Sequence, residues 1–376
     1  MFEKNQNKYI TVIAKVTNDC NLQCPYCYNR DKNIKDNVTV MSLEILEKII
    51  YNVARYYEGG SIVLHGGEPL LVGVEWIKEL GQLLRVYNSS YRCNIEAAIQ
   101  TNATLLSEEI LEVANTYGIS FGFSFDGLTN ELTRGSTKKI LKNMQLTRKS
   151  SGSLGCICLV SKNNYQQLIK EFEYFNMLNI NVQFAPMFKT KHMDKDLYDD
   201  MNINQYINYM CELFNHYITK MDCRSSITNF DRLIKLAIGQ KKGMVCNNMI
   251  CNYKWISVDP RGNYYPCGRD WTEEYQMGNI NELTFQEAFL STSYENYVNQ
   301  VSKKLTRCRD EIKCNLFHIC HGACPATALS DNGDVASHAT RDCTIFKKTF
   351  THVYNYINNT NKPILNPIVK KLLNRR

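Results

Sequence analysis

The sequence predicts an α/β protein in which a partial (β/α)6 barrel precedes a small, irregular, cysteine-rich α+β domain. Two observations lead to this prediction. Short, β-branched apolar runs alternate with helical patterns in the first half of the chain, which is typical of βα units. That alternation stops near residue 225, and eight of the sixteen cysteines in the 376-residue chain fall between Cys246 and Cys343.

The first half of the chain supplies six predicted strands and six predicted helices. The strands are Tyr9–Val16, Ser61–His65, Ile95–Gln100, Ile119–Phe125, Leu154–Val160 and Ile180–Phe184. The helices are Ser42–Tyr57, Val74–Tyr87, Ser107–Tyr117, Thr137–Ser150, Tyr165–Met177 and Asn204–Met221. Ser107 is a predicted N-cap, because two acidic residues follow it. Six such units form a parallel sheet that is too short for a closed eightfold barrel, and ligands are expected at the carboxyl ends of its strands.

The remaining sequence divides into three parts. We expect the barrel to occupy residues 1–225, a bridging segment residues 226–245, the cysteine-rich domain residues 246–350, and a C-terminal helix with a basic tail residues 351–376. Asp259-Pro260, Arg261-Gly262 and Asn332-Gly333 mark turns in the cysteine-rich part. That part is too irregular to build a good core unaided, so we expect metal to organise it.

The composition indicates a globular protein of the cytoplasm. The apolar share is 44% and the charged share 22%, as in ordinary globular domains. No apolar run approaches the roughly 20 residues needed to cross a bilayer, and the first eight residues lack the apolar core of a signal peptide. We therefore expect no membrane partner. In a reducing compartment, clustered cysteines bind metal more often than they form disulfides.

The loop after the first predicted strand carries the first cysteine cluster. Cys20, Cys24 and Cys27 have the spacing C-x3-C-x2-C, and the next cysteine is Cys93. Three thiolates can hold three corners of an iron–sulfur cluster and leave one iron without a protein ligand. An open metal site usually binds substrate or cofactor. A zinc site is the alternative interpretation.

This motif, with the aromatic residue Tyr26 before its last cysteine, resembles that of the radical SAM superfamily. The resemblance implies a [4Fe–4S] cluster whose open iron is chelated by S-adenosylmethionine (SAM). It also implies that one electron cleaves SAM to a 5′-deoxyadenosyl radical, which abstracts a hydrogen atom from the substrate. A low-potential donor such as flavodoxin or ferredoxin would supply that electron.

Further residues agree with this resemblance. His65-Gly66-Gly67-Glu68-Pro69 is similar to the family's GGEP motif, and polar residues follow the third and fourth strands. The resemblance implies that SAM is bound by these residues: Tyr26, His65, Gly66, Gly67, Glu68, Asn102, Ser124 and Arg134. An ordinary Gly-Gly turn, a strand-end hydroxyl and a surface arginine are the structural alternatives.

The later cysteines resemble the SPASM extension of radical SAM peptide maturases, which binds two auxiliary [4Fe–4S] clusters. The resemblance implies three clusters in all, and it assigns four cysteines to each auxiliary one. The first set is Cys246, Cys251, Cys267 and Cys324, and the second set is Cys308, Cys314, Cys320 and Cys343. Full coordination implies electron transfer rather than substrate binding. Two zinc knuckles are the alternative, and the x5 spacing from Cys308 to Cys314 is longer than the usual x2.

The formal charge of +7 does not indicate a nucleic-acid partner. Metal-bound thiolates are deprotonated, so three clusters bring the charge to about +2. Basic residues are scattered among acids except in the tail, where Lys370, Lys371, Arg375 and Arg376 form a short solvated run.

The resemblance to peptide maturases predicts a peptide or protein substrate that is oxidised or cross-linked through a C–C, C–S or C–O bond. Anaerobic sulfatase maturation, which converts Cys or Ser to formylglycine, is one alternative. In that family an Asp follows the third cysteine of the first auxiliary set, whereas this chain has Gly268 there. Asp270 is the nearest candidate for the catalytic base.

A peptide epimerase is also consistent with the sequence. It would need a hydrogen-atom donor, and Cys156 or Cys158 could serve if their shared face points into the barrel. A non-catalytic iron–sulfur electron carrier or a zinc-binding scaffold is an alternative of another class. Only nineteen residues precede Cys20, so a separate protein is one possible reader of a substrate leader.

Overall fold

A computed structural model describes residues 8–29, 40–151, 153–190, 201–240 and 251–374. The strands form one sheet in the order β6-β5-β4-β3-β2-β1-β7-β8. They are β1 Tyr9–Thr17, β2 Gly59–Gly66, β3 Asn94–Thr101, β4 Ser120–Ser124, β5 Leu154–Val160, β6 Ile180–Pro186, β7 Trp255–Val258 and β8 Tyr264–Tyr265. Strands β1 to β6 pair in parallel, which confirms the predicted α/β sheet.

Helices follow the strands in the predicted rhythm. They are α1 Leu43–Tyr56, α2 Val74–Tyr91, α3 Glu108–Tyr117, α4 Asn130–Thr133, α5 Thr137–Ser151, α6 Leu168–Leu178, α7 Ile203–Thr219, α8 Thr228–Ala237, α9 Phe285–Ala288, α10 Thr292–Thr306, α11 Phe317–Cys320, α12 Pro325–Asn332, α13 Arg341–Ile357 and α14 Pro367–Leu373. The Ser107 side chain caps α3 by accepting from the Ile110 N–H, and Gly333 ends α12 with a positive φ. Among the described helices, none combines the length and the apolarity that a membrane crossing requires.

The two faces of the sheet have different environments. On β1, Val12 and Ala14 are fully buried and belong to the core that the helices cover. Their neighbours Ile13 and Lys15 point to the opposite face, because side chains alternate along a strand. That second face is the interior of the open barrel, and the loops at its carboxyl end carry the first cysteine cluster.

The cysteine-rich region contributes strands to the same sheet. Strand β7 pairs in parallel with β1, and β8 returns antiparallel to β7 through a turn around Asp259. The Asp259 carboxylate accepts hydrogen bonds from the backbone N–H groups of Arg261 and Asn263. Helix α13 packs against α7 and α8. Cys251 and Cys267, which flank these two strands, are thereby held beside the barrel. The domain boundaries given above stay predictions.

Candidate functional site

The loop after β1 brings the first three cysteines into one cavity of about 260 Å³. Cys20 is exposed, Cys24 is buried and Cys27 is half-buried. The Cys27 N–H donates to the Cys24 carbonyl at 3.1 Å, which closes a tight turn between them. Burial raises the pKa of the Cys24 thiol to about 11, so metal binding would have to displace its proton.

The Gly66-Gly67 pair lies directly against this cysteine loop. The Gly67 N–H donates to the Thr17 carbonyl at 2.8 Å. A Cβ atom at Gly67 would lie 1.9 Å from the Asp19 carbonyl oxygen, and one at Gly66 would lie 2.1 Å from that of Thr17. The two glycines are therefore needed for close approach to the cysteine loop, in addition to any approach to a ligand.

Glu68 connects the end of β2 to the end of β3. Its fully buried carboxylate accepts hydrogen bonds from the Thr101 hydroxyl at 2.6 Å and the Asn102 N–H at 2.8 Å. Asn102 in turn donates through Nδ2 to Asn21 Oδ1 at 3.0 Å, next to Cys20. These contacts hold the Asn102 Nδ2 atom 4.0 Å from the Cys20 sulfur. Thr101 and Asn21 were not predicted as site residues, although both adjoin the motifs.

Asp126 organises the other side of the cavity. Its fully buried carboxylate accepts from Arg134 Nε at 3.1 Å, from the Leu159 N–H at 2.9 Å, and from the Tyr26 hydroxyl. Arg134 also lies over the Tyr26 ring, with its Cζ 5.4 Å from the ring centre. Arg134 is therefore a paired residue with only 12% of its side chain exposed, whereas the structural alternative was a surface charge. Asp126 lies in the Ser-Phe-Asp-Gly motif at the end of β4, and its central position was not predicted.

His65 and Ser124 complete the lining of this cavity. Burial, with a smaller contribution from the Lys15 ammonium, lowers the pKa of His65 to about 4, so the imidazole is neutral near pH 7. The Ser124 hydroxyl accepts from the Gln100 side chain at 3.0 Å. Every residue predicted to bind SAM therefore lines the cavity that contains the first three cysteines.

The second auxiliary set of cysteines is gathered around one cavity of about 320 Å³, which Cys308, Cys314, Cys320 and Cys343 all line. Its other walls include apolar side chains such as Phe317. The long spacing between the first two cysteines is closed by a π-helical turn at Arg307–Glu311, after which the Cys314 N–H donates to the Cys308 carbonyl at 3.0 Å. This volume and this donor set fit a bulky iron–sulfur cluster.

Three members of the first auxiliary set lie close enough to the buried Tyr297 to affect its hydroxyl group. Burial raises its pKa well above the usual value, and the thiols of Cys251, Cys267 and Cys324 add to that rise. Cys251 precedes β7 and Cys267 follows β8, so the short hairpin sets their separation. Cys246 lies outside the described residues. No group of three or more His, Cys, Asp or Glu side chains within the described ranges is positioned for a single metal ion.

Gly268 follows Cys267 at the barrel interior. A Cβ atom built there would lie 3.1 Å from Ile13 Cγ2 and 3.8 Å from Ser257 Oγ. A side chain at this position would therefore require the Ile13 side chain to shift by a few tenths of an ångström. Asp270 begins a 3-10 helix, Asp270–Tyr275, but its side chain lies outside what the structure describes. Glu273 of that helix has Oε1 3.9 Å from Lys15 Nζ.

The cysteines of β5 do not face the barrel interior, as a hydrogen-atom donor would have to. Ile157 and Leu159 line the cavity of the first cysteines. Cys156 and Cys158 alternate with them, so they face the helix-covered core, where both are buried. The sequence showed that the two thiols share a face, and only the strand's orientation decides which face that is.

A second cavity of about 250 Å³ adjoins the first and shares Leu159, Ala185 and Phe188 with it. It lies between the carboxyl ends of β5 and β6 and helix α13. The Arg269 guanidinium covers the Phe188 ring at 4.1 Å and donates to the Thr327 hydroxyl at 2.8 Å. The two cavities together provide a space that leads from the cysteine loop toward the cysteine-rich region.

Comparison with family models agrees with this arrangement. Residues 14–175 match the model of the radical SAM superfamily, and residues 246–324 match SPASM, an iron–sulfur cluster-binding domain. The chain contains a radical SAM domain followed by a SPASM domain. It is a radical SAM/SPASM enzyme, and these domains imply iron–sulfur clusters.

Curated relatives span most of this radical SAM/SPASM chain. A cysteine-type anaerobic sulfatase-maturating enzyme of Clostridium novyi is 26% identical over 83% of this chain and 87% of its own length. A serine-type enzyme of the same description from Bacteroides thetaiotaomicron is 25% identical over 92% of this chain and 90% of its own.

Solved structures share the fold. Native anSMEcpe with bound AdoMet and Cp18Cys peptide superimposes with a TM-score of 0.81 at 24% identity, over 98% of this chain and all of that one. Streptococcus suis SuiB bound to S-adenosylmethionine gives a TM-score of 0.62 at 16% identity, over 89% of this chain and 77% of that one.

Proposed function

We propose that this enzyme binds SAM in the 260 Å³ cavity and three [4Fe–4S] clusters on its cysteines. The SAM-binding cluster would be held by Cys20, Cys24 and Cys27, and the auxiliary clusters by the two sets of four, including Cys246. When bound, the first cluster and SAM supply a 5′-deoxyadenosyl radical that abstracts a hydrogen atom. The support is that one cavity is lined by three cysteines and by all eight residues predicted to bind SAM.

The chain's own residues would position SAM. Arg134 offers a guanidinium to a carboxylate, and Asp126 fixes its direction at 3.1 Å. Glu68 and the backbone beside Gly67 would receive the amino group. Asn102 and Ser124 would bind the ribose, and their hydrogen bonds to Asn21 and Gln100 hold them at the cavity wall.

We further propose that the substrate is a peptidyl Cys or Ser, which is oxidised to formylglycine as in sulfatase maturation. The observation that carries this proposal is the similarity to cysteine-type and serine-type sulfatase-maturating enzymes over 83% and 92% of the chain. The peptide would occupy the 250 Å³ cavity beside Phe188, because that cavity shares Leu159, Ala185 and Phe188 with the SAM cavity. Removal of one hydrogen atom, one proton and one electron would turn Ser directly into formylglycine. The same loss from Cys would give a thioaldehyde, which water would hydrolyse to formylglycine with release of hydrogen sulfide.

The proton requires an acceptor other than residue 268. Asp270 is the acceptor that the sequence suggests, and Glu273 is a second carboxylate on the same 3-10 helix, 3.9 Å from Lys15. The electron would leave through the auxiliary clusters, and an external low-potential donor such as flavodoxin or ferredoxin would start the reaction. A separate leader-binding protein is not required by this proposal.

Gly268 supports a second candidate function, the cross-linking of a ribosomal peptide. Residue 268 is glycine, so the carboxylate that follows the cysteine in sulfatase maturases has no direct counterpart here. An oxidised carbon that is captured by a neighbouring side chain gives a crosslink, and the same hydrogen abstraction and electron loss would serve both reactions.

Mass spectrometry of short peptides tests the reaction. Reconstituted enzyme, SAM and dithionite would be incubated anaerobically with peptides that contain one Cys, one Ser or neither. A hydrazide-reactive aldehyde on the Cys or Ser peptide supports formylglycine formation, and D270N and E273Q would each be compared with the unaltered enzyme. A product that has lost two hydrogens and resists hydrazide supports cross-linking. A peptide whose mass is unchanged in H2O but which gains one deuterium in D2O would contradict both proposals and indicate epimerisation.

A further inference from the structure

Lys304 is a fully buried cation in the cysteine-rich region. It lies in the last turn of α10, and its Nζ donates to the Cys324 carbonyl at 3.2 Å. Burying an ammonium group is costly unless anions compensate its charge. The groups that surround Lys304 therefore indicate which anions compensate its charge.

Those neighbours are mainly cysteines from both auxiliary sets. Burial lowers the pKa of the Lys304 ammonium, and the groups that act against this lowering are the thiols of Cys324, Cys308 and Cys320 and the carboxylate of Asp342. Cys324 belongs to the first set, and the other two cysteines belong to the second. The Asp342 carboxylate accepts a hydrogen bond from Thr327. Within the described ranges, no carboxylate forms an ion pair with Lys304.

Lys347 provides a useful contrast. Its charge acts on Cys308 and Cys343, which both belong to the second set, and it lines the cavity of that set. Lys304 also acts on cysteines of the second set, but its Nζ additionally donates to the Cys324 carbonyl of the first set. Because metal-bound thiolates are anionic, a loaded region would surround the Lys304 ammonium with negative charge on both sides.

We propose that Lys304 is a shared counter-charge for the two auxiliary clusters, which raises the reduction potential of both. One-electron reduction adds a negative charge to a cluster, and a nearby buried cation stabilises that charge. Lys304 thereby keeps both clusters able to accept the electron that leaves the substrate. The inference rests on the proposed ligand sets and not on the identity of the peptide.

A potentiometric titration would test this role without any substrate. Dithionite reduction of the full chain would be followed by electron paramagnetic resonance in a C20A/C24A/C27A background, which retains only the auxiliary clusters. K304M removes the charge, K304R keeps it, and K303M removes an exposed charge from the adjacent position of the same helix. We expect K304M to shift both midpoint potentials to more negative values, K304R to restore them and K303M to leave them unchanged.

Other results of the titration would support or overturn the role of Lys304 as follows. Wild-type potentials in a fully loaded K304M protein, or a shift of one cluster only, would overturn the shared counter-charge. If K304M fails to load iron, K304R decides: loading by K304R supports the need for a charge, and failure of K304R as well overturns it. Absence of auxiliary clusters from the background protein itself would contradict the proposed cofactors, and it would do so independently of Lys304.

Discussion

The guanidinium of Arg134 is held by the fully buried carboxylate of Asp126, with Nε and Oδ2 3.1 Å apart. The same carboxylate accepts from Tyr26 in the cysteine loop and from the backbone of β5. One acid therefore links the first cysteine cluster, the fourth strand and the fifth strand. This link explains why a short motif at the end of β4 matters to a site that is built mainly on the first loop.

The effects on stability of removing Asp126 and Arg134 are predicted to be non-additive. R134M leaves the Asp126 carboxylate buried without its cation, so we expect a loss of about 3–5 kcal/mol in the free energy of unfolding. D126N/R134M should lose less than the sum of the two single variants, because the paired charges disappear together. Urea denaturation of the four proteins measures this coupling, and strict additivity would contradict it.

A Cβ atom at Gly67 is predicted to disturb the cysteine loop. G67A places that atom 1.9 Å from the Asp19 carbonyl oxygen, so the loop has to shift. We expect less iron to be bound after reconstitution of G67A than of the unaltered chain. G155A is the matched control, because its Cβ would lie 3.9 Å from the nearest backbone atom. Equal iron content in both variants would refute the proposed packing.

Glu171 is predicted to lower stability as the pH rises. Burial raises the pKa of this carboxyl from its ordinary value of 4.5 to about 7, despite a hydrogen bond from the Leu128 N–H. The folded state therefore retains the proton more tightly, and the resulting stabilisation, complete below pH 4.5, is lost as the pH rises through about 7. E171Q keeps an acceptor for Leu128 and carries no charge. We expect it to be more stable than the unaltered chain at pH 8, by about 2 kcal/mol, and equally stable at pH 4.5. Thermal unfolding at the two pH values checks this difference.

Cys156 and Cys158 are predicted to have no part in the reaction. Both face the helix-covered core, and each change to Ala would remove one small buried group at a cost of about 1 kcal/mol. C156A and C158A should therefore form 5′-deoxyadenosine and modified peptide at the rate of the unaltered enzyme. Loss of product with retained SAM cleavage in either variant would point to a hydrogen-atom donor on β5.

Much of the fold was predictable, because strand and helix periodicities are local properties. Ser107 was identified from its own sequence context, and the six barrel strands lie where their apolar runs predict. Strand β7 was not predicted, because a four-residue strand gains its place by pairing with β1 across more than two hundred positions in sequence. The sequence also did not predict which face of the sheet Cys156 and Cys158 occupy, because that depends on which elements pack against each face.

Part of the candidate site was also predictable from the sequence, and part of it was not. The residues predicted from motifs at strand ends do gather in one cavity, since parallel strands end at the same edge. The central position of Asp126 was missed because it depends on contacts with Tyr26 and Leu159, which lie 100 and 33 positions away in the sequence. Closure of the Cys308–Cys314 spacing also escaped prediction, because a π-helical turn at the end of α10 leaves no simple periodic signature.

The proposed function depends on a [4Fe–4S] cluster that is held by only three protein thiolates and that reduces and cleaves SAM. The most direct measurement is the yield of 5′-deoxyadenosine when anaerobically reconstituted protein is mixed with SAM and dithionite. We expect the unaltered chain to form 5′-deoxyadenosine and C24A with loaded auxiliary clusters to form none. An unaltered chain that contains iron at all three sites and gives no 5′-deoxyadenosine, or a C24A variant that gives as much, would contradict it.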